Sequence, residues 1–183
     1  MNDKKILLWL DLETTGLEPS FDKILEGAFF LSEFSNPFEA ITQAYSVTLA
    51  WDKSTRMEEV VWKMHTESGL IEAAKASVFT LTDLEERICA LITPFKEKPI
   101  LAGSTIDFDK RFVEFWMPKL HSMIHYRRFD VTMLKLYCEA KGMPRIPKAG
   151  KHRALDDIRE SIAHGAMCDK WYVEEIIKTA DKV

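Results

Sequence analysis

The stretch ILLWLDLETTG, residues 6–16, decides the fold. It opens with an unbroken apolar run, Ile6-Leu7-Leu8-Trp9-Leu10. Such a run predicts a strand covered on both faces, hence one inside a sheet rather than at its edge. Asp11 and Glu13 follow. Side chains alternate along a strand, so residues i and i+2 share a face with Cα atoms roughly 6.5–7 Å apart. Carboxylates so placed at the mouth of a buried strand repel each other and lose hydration, and a divalent cation is the natural countercharge. Thr14-Thr15-Gly16 turns the chain, with Gly16 expected to supply backbone freedom. An Asp-x-Glu pair alone is equally the ordinary solvated end of a strand, so further ligands have to come from elsewhere.

Outward from that stretch, residues 24–34 and 41–50 read as a second and third strand, the latter with Tyr45, Val47 and Leu49 at period two. Asn36-Pro37 reads as the turn between them. Residues 51–65 carry no clear pattern. Residues 67–76 and 80–95 have helical composition, with Thr82 and Glu85 spaced as a capping box. Residues 99–104 predict a fourth strand, 107–116 a helix that ends or bends at Pro118, and 123–129 a fifth strand. Residues 130–141 read as a helix stopped by Gly142, 144–150 as a loop, and 155–170 and 171–179 as closing helices. The order βββ–α–β–α–β–α predicts an α/β fold, a mixed five-stranded sheet flanked by helices with the first strand central. Sites in such sheets lie at the carboxyl ends of the strands, where Asp11 and Glu13 fall.

Composition narrows the class. A chain of 183 residues with 46% apolar and 30% charged residues suits one domain, residues 1–183, with its own core. No apolar run approaches the ~20 residues of a membrane span, and the first apolar run is too short for the h-region of a signal segment and ends in acids. Cys89, Cys138 and Cys168 form no C-x-x-C pair, which argues against a zinc ribbon or disulfide framework and suits a reducing cytoplasm. A net charge of −4 is poor for coating long nucleic acid but compatible with a pocket that holds a short strand.

Two later stretches carry acids in comparable places. In STIDFDKRF, residues 104–112, a strand ends and a helix begins, so Asp107 or Asp109 either caps the helix or joins Asp11 and Glu13. In HRALDDI, residues 152–158, His152 precedes Asp156 and Asp157. Five helical residues turn roughly 500°, so His152 meets Asp157 most easily from a loop before the helix.

Asp11-x-Glu13 with Thr15-Gly16, Asp109 opening a helix, and His152-x-Ala154-x-x-Asp157 together resemble the DEDDh 3′–5′ exonuclease family. The final spacing selects Asp157 over Asp156. HTESGL (65–70), KAS (75–77), KRF (110–112), MPKL (117–120), HYRRFDV (125–131) and HRALDDIRES (152–161) resemble its oligoribonuclease branch, in order along nearly the whole chain. The chain departs from that branch at Thr14, where Met is usual, at Val60, where the family tryptophan would fall two positions before Trp62, and across residues 103–109.

The resemblance implies a ribonuclease-H-like fold, a homodimer, two divalent metals and short single-stranded RNA as substrate. It implies that Asp11, Glu13, Asp109 and Asp157 hold the metals. All-oxygen ligands suit Mg²⁺ or Mn²⁺. His152 would accept the proton of the attacking water, work to which an imidazole is suited near neutrality. By the same resemblance Leu17 wedges between bases and His65 contacts substrate, while Tyr126 and Arg127 are presented by a partner subunit to stack on a base and cap a 5′ phosphate. The expected activity is 3′–5′ hydrolysis of short RNA to 5′-mononucleotides. The alternatives are a general exonuclease on longer single-stranded DNA or RNA, which needs a charged or aromatic track, and a non-catalytic module, whose mark would be a missing acid.

Overall fold

The structure is a computed structural model and describes residues 5–52, 54–148, 150 and 152–180. The expected first strand is β1 (Ile6–Thr14), followed by β2 (Ile24–Glu33). The expected third strand is β4 (Tyr45–Thr48), and an additional strand, β3 (Asn36–Ala40), forms where the sequence predicts a turn; both are antiparallel to β2. Asn36-Pro37 is therefore strand rather than turn. Pro37 is tolerated because β3 lies at the sheet edge, where an N–H is not needed. Its carbonyl accepts from Trp9 Nε1 and Ser32 Oγ instead. Then come α1 (Glu59–Glu67), α2 (Leu70–Ala76), α3 (Leu81–Ile92), β5 (Ile100–Gly103) and α4 (Asp107–Trp116). Finally α5 (Pro118–Met123), β6 (Arg128–Asp130), α6 (Val131–Ala140) and the single long α7 (Ala154–Ala180) complete the chain.

Among the described residues the sheet has six strands, in the order β3-β2-β1-β5-β6 with β4 also on β2. β1 and β2 are antiparallel, whereas β1–β5 and β5–β6 are parallel. The ribonuclease-H-like mixed sheet stands, with one strand more than expected. Two other readings are corrected. The α3 cap is Thr80, whose hydroxyl accepts from Asp83 N while Asp83 accepts from Thr80 N. Glu85 is engaged elsewhere, accepting from Leu120 N at 3.0 Å. Pro118 does more than end α4: it opens α5 at its first turn, a position that needs no N–H donor. The strand expected over 123–129 is thereby shortened to β6.

β1 explains the layering. Leu8, Leu10 and Leu12 face a core shared with Leu84 and Ile88 of α3, Phe112 of α4 and Leu120 of α5. Leu7 and Trp9 face a second core with Phe30, Val131 of α6, and Ala154 and Ile158 of α7. Asp11 and Glu13 continue the odd-numbered register, so they emerge on the α7 side. Trp9 anchors that face: its indole N–H donates to Ser32 Oγ at 2.9 Å, and its ring packs on Phe30, Phe38 and Phe129. All three cysteines are buried and free. Among the described residues no helix is long and apolar enough to cross a membrane.

Gly103 ends β5 beside the carboxylate end of β1. A Cβ there would lie 2.9 Å from the Leu10 carbonyl oxygen and 2.9 Å from Ile106. Gly103→Ala must therefore push β5 away from β1, and overpacking of this kind costs about 1–3 kcal/mol. Thermal melting should show a lowered Tm; an unchanged Tm would mean that the β1–β5 seam yields freely.

Candidate active site

Three acids come together as their register dictates. Ligand oxygens of Asp11, Glu13 and Asp157 lie within 4.8 Å of one another. β1 supplies the first two, and the first turns of α7 supply Asp157. Asp109, in the first turn of α4, is 4% exposed and stands beside them. Its Oδ1 accepts from the backbone N–H of Leu12 at 2.8 Å, which ties α4 to the strand between the two β1 acids. Asp107 does not join them: it is exposed and pairs with Arg128 at 3.3 Å. His152 precedes α7 on the loop and lines the same cleft, of about 590 Å³, as all four acids. Leu17, 76% exposed, lines it from the turn after β1.

Packing the acids together makes ionisation costly. Burial, then the charge of Asp157, pushes the Asp11 carboxyl up to about 7. Burial, then Asp11 and Asp157, pushes Glu13 up to about 9. Burial and Asp11 hold Asp109 well above the ordinary carboxylate range, and burial raises Asp157 although Lys148 opposes the shift. Asp157 Oδ1 is buried with no hydrogen-bond partner. An orphaned buried acceptor costs about 1–3 kcal/mol, more when charged. Oxygen-only donors and a free lone pair suit a hard divalent cation, whose charge would offset the repulsion that raises these pKa values. Asp11, Glu13, Asp157 and the adjoining Asp109 fit such an ion.

The backbone near the site is strained at two places. Thr105 and His152 take positive φ, 53° and 52°, an uncommon conformation for residues with a side chain. Thr105 N donates to Asp130 Oδ1, and its hydroxyl meets that of Thr132 at 3.1 Å. Gly16 is not among the positive-φ residues. Its lack of a side chain serves a close approach instead, because a Cβ would sit 2.5 Å from the Asp22 carboxylate. That carboxylate accepts from Thr15 Oγ1 and Glu18 N and holds the turn.

The other expected substrate residues are placed differently. His65 is fully buried beside the cleft acid Glu13, with Nε2 2.8 Å from the Thr14 carbonyl and Nδ1 3.8 Å from Glu13 Oε2. Burial lowers its pKa, so the ring is neutral and the contact to Glu13 is not an ion pair. Tyr126, 71% exposed, and Arg127 lie before β6. Arg127 adjoins Lys5, Ile6 and Ile100, at the opposite end of β1 from the acids. Ile6 to Asp11 spans five strand residues, roughly 16 Å, so neither side chain serves the cleft of its own chain. Trp62 turns away to Trp51, 5.7 Å between ring centroids, and the cleft wall carries Val61 and Met64.

Residues that the sequence reading did not single out also line the cleft, among them Lys135, Lys148, Glu160, Ser161 and His164. Three of them follow Asp157 at i+3, i+4 and i+7 on α7, a polar stripe that helical periodicity makes visible. Ser161 Oγ meets Ser104 Oγ at 2.8 Å and His164 Nδ1 meets Lys135 Nζ at 3.2 Å, so this wall is internally bonded.

Residues 8–164 match the family model described as Exonuclease. Oligoribonuclease of Neisseria meningitidis serogroup B is 34% identical, aligned over 88% of this chain and 89% of its own length. Oligoribonuclease of Escherichia coli strain K12 is 36% identical over 94% of this chain and 96% of its own. Among solved structures, E. coli exonuclease I in complex with a dT13 oligonucleotide superposes with a TM-score of 0.71 at 15% identity. That match covers 96% of this chain but 43% of exonuclease I, and it speaks for the fold alone. With its acids in one cleft and its relatives matched nearly end to end, the chain belongs to the exonuclease family, in its oligoribonuclease branch.

Proposed function

We propose that the chain is a 3′–5′ exoribonuclease that hydrolyses short single-stranded RNA to 5′-mononucleotides. The observation that carries this reading is the convergence of Asp11, Glu13 and Asp157, with Asp109 and His152, in one cleft of a chain matched to oligoribonucleases over most of its length. Asp11, Glu13 and Asp157 would hold Mg²⁺ or Mn²⁺, and Asp109 would complete a second position. Two such ions, when bound, neutralise the scissile phosphate, activate a water and stabilise the leaving alkoxide. The protein's own part is to place the acids and move the proton. His152, held before α7, accepts the proton of the attacking water, a role worth about 10²–10⁴ in rate. Leu17 ends the slot for the bases. Val61 and Met64 give that slot an aliphatic wall.

Tyr126 and Arg127 enter this reading through a second copy of the chain. They stand exposed at the far end of the sheet, where a homodimer would present them to the partner's cleft, the ring to a base and the guanidinium to a 5′ phosphate. A site closed from both ends measures length. A charge-assisted contact is worth roughly 1.5–3 kcal/mol, so losing the 5′ cap costs about 10- to 100-fold.

One observation favours the general-exonuclease alternative. At Thr132, Lys135 and Lys148 the cleft adjoins a second cavity of about 610 Å³ that Arg145 also lines, a local basic track the overall charge does not reveal. Initial rates on 5′-phosphorylated RNA of two, three, five and ten nucleotides separate the readings. The rate should be greatest on the dinucleotide, and Asp11→Asn should abolish it with the circular dichroism unchanged. A rate that rises with length, or that is equal on single-stranded DNA, would move the chain to the alternative.

The dimer has its own check. Each of Tyr126→Ala and Asp11→Asn should be deficient alone. Mixed, they should recover activity, because a heterodimer carries one cleft with intact acids and an intact partner tyrosine. A fully active monomer by light scattering at micromolar concentration would refute the shared site.

A further inference from the structure

Glu26 is a charged residue inside the apolar run of β2, opposite Glu13 in the strand register and 1% exposed. Its carboxylate gathers donors from two other segments. Arg153 donates twice, from Nη2 to Oε1 at 2.7 Å and from Nε to Oε2 at 3.1 Å. The backbone N–H of Ala154 donates to Oε2 at 3.0 Å. From β4, Thr48 Oγ1 donates to Oε1 at 2.8 Å and Ser46 Oγ at 3.3 Å. Burial alone would raise the pKa of Glu26, yet these contacts bring it below the ordinary value, so the group is a carboxylate. It is thus satisfied within the protein, and it lies outside the acidic set that converges in the cleft.

The place of this link matters. Arg153 directly follows His152, whose φ of 52° turns the chain into α7. The Arg153 carbonyl accepts from the N–H groups of Asp156 and Asp157 and so opens the helix. One carboxylate on the sheet therefore fixes the residue between the cleft histidine and the helical turn that carries Asp157. A buried ion pair adds little stability over apolar packing of similar volume. What it supplies here is direction: the bidentate contact leaves Arg153 little freedom to rotate.

We infer that Glu26 is a positioning residue for His152, acting through Arg153 and the first N–H of α7. The inference rests on the reading of His152 as the proton acceptor. In Glu26→Gln an amide NH₂ must face either Arg153 Nη2, Thr48 and Ser46, or Arg153 Nε and Ala154 N. Either choice sets donor against donor, and the junction shifts while the acids of β1 stay in register.

The test is kcat and KM on a 5′-phosphorylated RNA dinucleotide for Glu26→Gln, Arg153→Gln and His152→Ala, and for each of the first two combined with His152→Ala. Displacement of a catalytic group by about 1 Å costs on the order of 100-fold. Glu26→Gln and Arg153→Gln should each lower kcat by roughly 10- to 100-fold with KM nearly unchanged. In the His152→Ala background neither should cause a further loss. Losses that multiply with His152→Ala, or that fall on KM alone, would overturn the positioning role and leave the base assignment intact. A His152→Ala chain with full kcat would overturn the base assignment and this inference with it. If Glu26→Gln does not fold, Arg153→Gln cuts the same link from a partly exposed side chain and decides the matter.

Discussion

The structure depends on one electrostatic constraint: buried acids held together at the end of a strand that has no freedom to move away. β1 is walled by β2 and β5 and covered on both faces, so Glu13 is buried and Asp11 only partly exposed, and the backbone that carries them is fixed. With Asp11 raised to about 7 and Glu13 to about 9, the metal-free fold binds protons more tightly than the unfolded chain. The stability these groups contribute is complete below the ordinary carboxylate range. It is lost as pH rises through 7 and then 9. A divalent cation removes that loss by replacing the protons, so the site and the fold call for the same ligand.

The convergence follows from alternation along β1. Leucines at even positions bind α3, α4 and α5, and odd positions meet α7. The acids inherit the odd face and therefore meet Asp157, which α7 delivers. Asp109 arrives from the other layer and reaches the strand through the Leu12 N–H, so both helical layers are tied to the same few residues of β1. The junctions that complete the cleft carry positive φ at Thr105 and His152, each held by a carboxylate close by: Asp130 bonds Thr105 N, and Glu26 bonds Arg153 beside His152.

Much of this was legible in the sequence, for identifiable reasons. β1 announces itself because both faces are apolar, and the acids announce themselves because they interrupt it. α4 is delimited as expected, since Asp107 and Pro118 bracket an amphipathic segment. The edge strand β3 was missed because Asn36-Pro37 reads locally as a turn, and only pairing with β2 makes it a strand. Glu26 carried a signal, a lone acid in ILEGAFFL, but its five donors come from residues 46–48 and 153–154, which no local pattern joins. The far placement of Tyr126 and Arg127 and the burial of His65 are likewise tertiary facts. The polar stripe of α7 beyond Asp157 was readable from helical period alone.

Proton release on metal binding tests the central claim most directly. Calorimetric titration of the metal-free protein with Mn²⁺ at pH 7, in two buffers of different ionisation enthalpy, gives the number of protons displaced. Because burial and mutual repulsion raise Asp11 to about 7 and Glu13 to about 9, these acids should give up protons as the ion binds, and net proton release is expected. Binding without proton release would mean that the acids are already ionised without a metal, and that burial does not impose the constraint from which the site is derived.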